Sequence, residues 1–109
     1  MGNAYTNAKK DLTGTSVTTL YTAPSLTTSI VKSILVSEDS GNADTITLTL
    51  TDAESSPSTF SLFKTKSISA NGTTELLTAP LVLKTGEILK VTAATANRLH
   101  VVASILEIS

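Results

Sequence analysis

Asp44-Thr45-Ile46-Thr47-Leu48-Thr49-Leu50-Thr51-Asp52 is the stretch whose pattern decides the fold. Ile46, Leu48 and Leu50 alternate with Thr45, Thr47, Thr49 and Thr51, so a strand collects the aliphatic side chains on one face and the hydroxyls on the other. A helix would scatter the same residues around its circumference. One face is dry and the other wet, and a second layer of the protein must cover the dry one.

Similar runs lie on both sides. Toward the N-terminus, a run from Thr28 to Ser37 is closed by Asp39-Ser40-Gly41-Asn42, and a run from Ser16 to Thr22 ends at Ala23-Pro24, where proline cannot donate to a ladder. Toward the C-terminus, a loop at Ser55-Ser56-Pro57 precedes a strand carrying Phe60, Leu62 and Phe63, and Asn71-Gly72 marks a tight turn before Thr73 to Thr78. After Pro80 come Leu81-Val82-Leu83, a Thr85-Gly86 turn that needs a positive φ at Gly86, the run Ile88 to Ala93, a turn at Asn97, and a last run from Leu99 to Ile108. Strands at roughly 10-residue spacing predict an all-β, antiparallel β-sandwich, jelly-roll-like, with seven or eight strands. At 109 residues there is room for one domain. It is read as a sandwich over 16–109 preceded by an extended arm over 1–15, which is polar and shows no sustained alternation.

Composition agrees. Serine and threonine make up nearly a third of the chain and charged residues only 16%. Such a surface suits exposed strands better than exposed helices, whose surfaces are usually written in Glu, Lys, Arg, Gln and Ala. Surface scaling gives about 5,700 Å² for the folded chain. With aromatics at 4%, the core must be aliphatic. The net charge of −1, with seven lysines and Arg98 scattered, argues against nucleic acid as a partner and against a basic membrane-binding surface. No apolar run approaches membrane-spanning length, and the first residues carry no apolar signal-peptide core. There is no cysteine, which removes thiolate metal sites and cysteine nucleophiles.

Candidate chemistry is sparse. His100, the sole histidine, has no sequence neighbour that would make it a general base, and it reads as a surface or interface residue. Glu38, Asp39 and Asp44 flank a glycine-containing turn but lack the spacing of a calcium loop, so they read as turn carboxylates. The other glutamates are dispersed. No catalytic residue, metal or cofactor is expected.

Two strands depart from the one-sided rule. In the run 28–37, Ile30, Ile34 and Val36 are read on one face and Val31 and Leu35 on the other; in the last run, Leu99, Val101, Ala103 and Ile105 oppose Val102, Leu106 and Ile108. A bulge or covering loop within one molecule would account for this. So would an interface between copies, which assigns Val31, Leu35, Val102, Leu106 and Ile108 to that contact.

The phrases Asn3-Ala4-Tyr5, Thr18-Thr19-Leu20-Tyr21-Thr22-Ala23-Pro24, Ile30-Val31-Lys32-Ser33-Ile34, Pro80-Leu81-Val82-Leu83, Gly86-Glu87-Ile88-Leu89-Lys90-Val91 and Leu106-Glu107-Ile108, in this order, resemble short virion structural proteins of tailed bacteriophages, especially those of cyanobacteria and marine bacteria. The resemblance spans nearly the whole chain. It implies a noncatalytic capsid decoration, or cement, protein on the outer shell, with the major capsid protein as partner and a homotrimer as assembly; a neck, tail or fibre component is the nearby alternative. In such a role the arm would grip a capsid subunit by adding a strand to an exposed edge, with Tyr5 as anchor beside Lys9, Lys10 and Asp11; a frayed terminus is the other reading of that segment. A carbohydrate-binding module, from another class, would display exposed aromatics for sugar stacking.

Overall fold

A computed structural model describes residues 2–109; Met1, the first residue of the expected arm, lies outside them. Nine strands follow in order: β1 (Asn3–Asp11), β2 (Thr18–Thr22), β3 (Thr28–Glu38), β4 (Asp44–Thr51), β5 (Thr59–Ile68), β6 (Thr73–Glu75), β7 (Leu81–Leu83), β8 (Ile88–Ala93) and β9 (Leu99–Ile108). The two sheets are antiparallel. Sheet A runs β1-β9-β3, with β6 and β7 each pairing with a different part of β3, and sheet B runs β2-β8-β4-β5.

This order is a jelly roll. Early strands pair with late ones in nested fashion, β1 with β9, β2 with β8, β3 with β6 and β7, β4 with β5, as when one long hairpin is wrapped into two sheets. Since β6 and β7 share one strand position, interrupted at Pro80, the nine segments fill eight places.

The segment read as an arm outside the sandwich is different in the structure. Over Asn3–Asp11 it is the edge strand of sheet A, paired residue by residue with β9 from Asn3–Ile108 to Asp11–His100. Its side chains bury almost nothing, Ala8 alone being half-buried. Backbone pairing therefore makes this strand, and the next residue anchors it. Leu12 is buried, donates its amide to the Leu99 carbonyl at 3.0 Å and accepts from Asn97 at 2.9 Å.

The faces of β3 also need correction. Val31 is fully buried and Ile30 half-buried on the outer side, the reverse of regular alternation. The cause is a bulge between Val31 and Ser33 in the pairing with β9. It brings Val31 into phase with Ile34 and Val36, so all three enter the core, while Ile30 and Leu35 share the outer face. Val31 cannot serve an interface between copies.

The core is aliphatic. Val31, Ile34, Val101 and Ile105 of sheet A meet Ile46, Leu48, Leu89 and Val91 of sheet B, all essentially inaccessible. Each fully buried side chain of this kind contributes about 1.5–3 kcal/mol relative to exposure. Surface area totals 5,921 Å². Gly86 adopts φ +84°, as the turn before β8 requires, and an added Cβ would stand 3.0 Å from that of Ala53.

Candidate interaction face

The outer face of sheet A concentrates the surface hydrophobicity of the molecule. Cross-strand partners share a face, so the register builds rows. One row is Tyr5, Leu106, Ile30 and Val82; the next but one is Lys9, Val102, Leu35 and Glu75; beyond it stand Asp11, His100, Ser37 and Thr73. Eight large hydrophobic side chains are exposed among the described residues. Five of them, Tyr5, Val82, Leu35, Val102 and Ile108, between 37% and 76% accessible, belong to this face. The remaining three, Val17, Leu26 and Phe60, lie elsewhere.

A polar row, Asn7, Ser104 and Ser33, runs between the two apolar rows, and charged groups stand around them. The Lys32 ammonium lies 6.0 Å from the Tyr5 ring centroid. His100 Nε2 lies 3.3 Å from Asp11 Oδ1, both groups exposed. Glu75, at the β6 margin, accepts hydrogen bonds from the Ser33 hydroxyl and from the amides of Ile34 at 2.7 Å and Leu77 at 3.1 Å. Burial opposes ionisation of Glu75, but these three donors outweigh it and lower its pKa. Its carboxylate thereby stays charged while fastening the bulge in β3. Two shallow depressions of 260 and 350 Å³ lie over the seam between β1 and β9, one beside Lys9, Asp11 and His100, the other beside Tyr5, Asn7 and Lys32.

Comparison of the chain with protein-family models, with curated proteins and with solved structures finds no match.

The geometry brings together most of the residues singled out in the sequence. Tyr5, Lys9 and Asp11 share the face with Leu35, Val102, Leu106 and Ile108. Lys10 occupies the alternate side of β1, in register with buried Val101, and stays exposed at the edge. Val31 is in the core. Sequence reasoning missed Ile30, Val82 and Glu75. Val82 gave no signal because both its neighbours, Leu81 and Leu83, are apolar as well, leaving no alternation to read.

Other candidate groups are engaged in holding the fold. Glu38, 3% exposed, accepts from the amides of Ser40, Gly41, Asn42 and Asn71 at 2.7–3.1 Å and from the Ser40 hydroxyl. Burial alone would raise its pKa; those donors reverse the effect and bring it from 4.5 down to about 2. A carboxylate so supplied with N–H donors pins two turns together. A groove of 370 Å³ between the sheets, beside Phe63, Leu77 and Pro80, has no titratable side chain in its lining.

Proposed function

We propose that this chain is a noncatalytic virion structural protein of a tailed bacteriophage, a capsid decoration protein that binds the major capsid protein on the outer shell and bridges neighbouring capsomers. The observation that carries the proposal is the gathering of exposed hydrophobic side chains on one face of a small jelly roll, since apolar side chains concentrated on one exposed face mark a contact surface. At the end of this face His100 stands between its cross-strand neighbours Asp11, 3.3 Å away and exposed, and Ser37, with which it makes no hydrogen bond among the described residues.

The grip on the capsid falls to β1. Its inner edge is taken by β9, but its outer edge has no strand beside it among the described residues, and a row of free backbone groups along this strand can add to a strand of another protein. Lys9 and Lys10 keep such an edge from indiscriminate pairing. A protein that binds only the assembled lattice stabilises it by mass action, because rupture must first break the added contacts. Tyr5 and Phe60, the exposed aromatics, stand on different sheets and offer no joint platform for a sugar.

The test is reconstitution. Purified protein added to particles that lack it is expected to sediment with the capsids and to appear in a cryo-electron map as a regular outer layer of hundreds of copies. A few tens of copies at one vertex would move the assignment to the neck, tail or fibres, and no binding at all would overturn a virion role. Removing residues 2–11 should abolish attachment.

A further inference from the structure

The exposed face of sheet A is asymmetric from one margin to the other. In the row Lys9, Val102, Leu35, Glu75, a cation stands at the β1 margin and an anion at the β6 margin, with two aliphatic residues between them. In the row Tyr5, Leu106, Ile30, Val82, a ring stands at one margin and a compact β-branched side chain at the other. We infer that this face pairs with the same face of a second copy, through a two-fold axis that runs parallel to the strands between β9 and β3. The inference rests on the proposed function for its setting on a capsid, though not for its geometry.

Such an axis lays β1 of one copy over β6 and β7 of the other, and β9 over β3. Lys9 then meets Glu75 of the second copy, Tyr5 covers Val82, Val102 covers Leu35 and Leu106 covers Ile30. An axis across the strands would instead lay Lys9 over Tyr5 and Glu75 over Val82, leaving both charges unpaired. A patch can be its own partner only about a two-fold axis; the three-fold ring that the family resemblance implies would need two different patches on every copy. Lys32, the other cation on the face, is held against the Tyr5 ring.

The area suffices. Four strand positions at about 4.8 Å and about ten residues at about 3.3 Å give a face of about 600 Å² per copy. Two copies would bury about 1,200 Å², within the range of specific, stable interfaces. Packed so, the dimer carries its two free β1 edges on opposite flanks, where each can engage a separate capsid subunit. A bridge between capsomers follows from the symmetry alone.

The chain lacks cysteine, so introduced thiols are the only ones present. Tyr5→Cys and Val82→Cys variants are prepared separately, mixed, left to exchange and treated with a short bismaleimide. The mixture is expected to yield a cross-linked dimer, and each variant alone none, because two Tyr5 positions would stand about 14 Å apart laterally, three strand spacings. In sedimentation the wild-type protein is expected as a dimer at micromolar concentration. Leu35→Asp should raise the dissociation constant at least about 100-fold with unchanged circular dichroism, and Lys9→Glu about tenfold. A wild-type monomer over that range, a trimer, or cross-linking of Tyr5→Cys with itself would overturn the inference. A monomer that still coats particles overturns the dimer and leaves the decoration role standing; a dimer that no particle takes up does the reverse.

Discussion

Tyr21 on β2 donates a hydrogen bond to Glu107 on β9 at 2.5 Å, tying sheet B to sheet A across 86 residues of sequence, with the Ser29 hydroxyl 2.7 Å from the same phenol oxygen. Burial first, and then the bond to Glu107, push the Tyr21 pKa up to about 12 against the opposing effect of Ser29. Tyr21→Phe is expected to destabilise the fold by about 1–2 kcal/mol in urea denaturation, since it removes the donor and leaves Glu107 short of a partner. Because the folded pKa lies above the unfolded value of 10.0, this stabilisation is complete below pH 10 and fades as pH rises toward 12. In Tyr5→Phe, where Tyr21 is the only tyrosine, phenolate absorbance should emerge with a midpoint near 12; a midpoint of 10 in the folded protein would refute the linkage.

Glu38 governs the acid limb. Its folded pKa of about 2 lies below the unfolded value of 4.5, so its stabilisation is present above pH 4.5 and is lost as pH falls toward 2. Melting temperature measured against pH should decline through that window in the wild-type protein. In Glu38→Gln it should start lower at neutral pH and decline less steeply.

The two sides of sheet A predict opposite sensitivities to one chemical change. Val31→Ala removes methyl groups from the sealed core and should cost about 2 kcal/mol. Val102→Ala on the outer face should stay within about 0.5 kcal/mol, measured on the monomer in dilute solution. Equal losses at the two positions would contradict the bulge in β3.

Leu26 occupies the left-handed region at φ 56° while 90% exposed, so it bears backbone strain without packing to offset it. Leu26→Asn keeps the turn in a conformation asparagine tolerates and should raise stability by about 0.5–1 kcal/mol, read as a higher urea midpoint. A lower midpoint would mean that the leucine side chain makes a contact worth more than the strain.

The two-sheet architecture was legible because Ile46, Leu48 and Leu50 alternate without interruption and because Pro24, Asn71 and Gly86 punctuate the runs; β2 to β9 all fall where those signals put them. β1 was not, since a strand at a sheet edge that half-buries only Ala8 leaves no periodic imprint on its side chains. The face of Val31 was misread for another reason. Strict alternation through β3 would have sent Lys32 into the core alongside Ile30 and Ile34, and that conflict is the one sequence sign of the bulge. The apolar surplus on the outer face was visible in Leu35, Val102, Leu106 and Ile108, but its margins, Val82 and Glu75, come from strands too short to show a period.

Lys32 is thus the supernumerary residue of its strand. Excising it would restore an unbroken ladder with Val31 still inward and Ile30 still outward. Excising a residue between Ile34 and Val36 would instead throw one segment out of step with the other and trade greasy contacts for hydroxyls. β3 has one place where it can be shortened without changing which side of the sheet its neighbours serve.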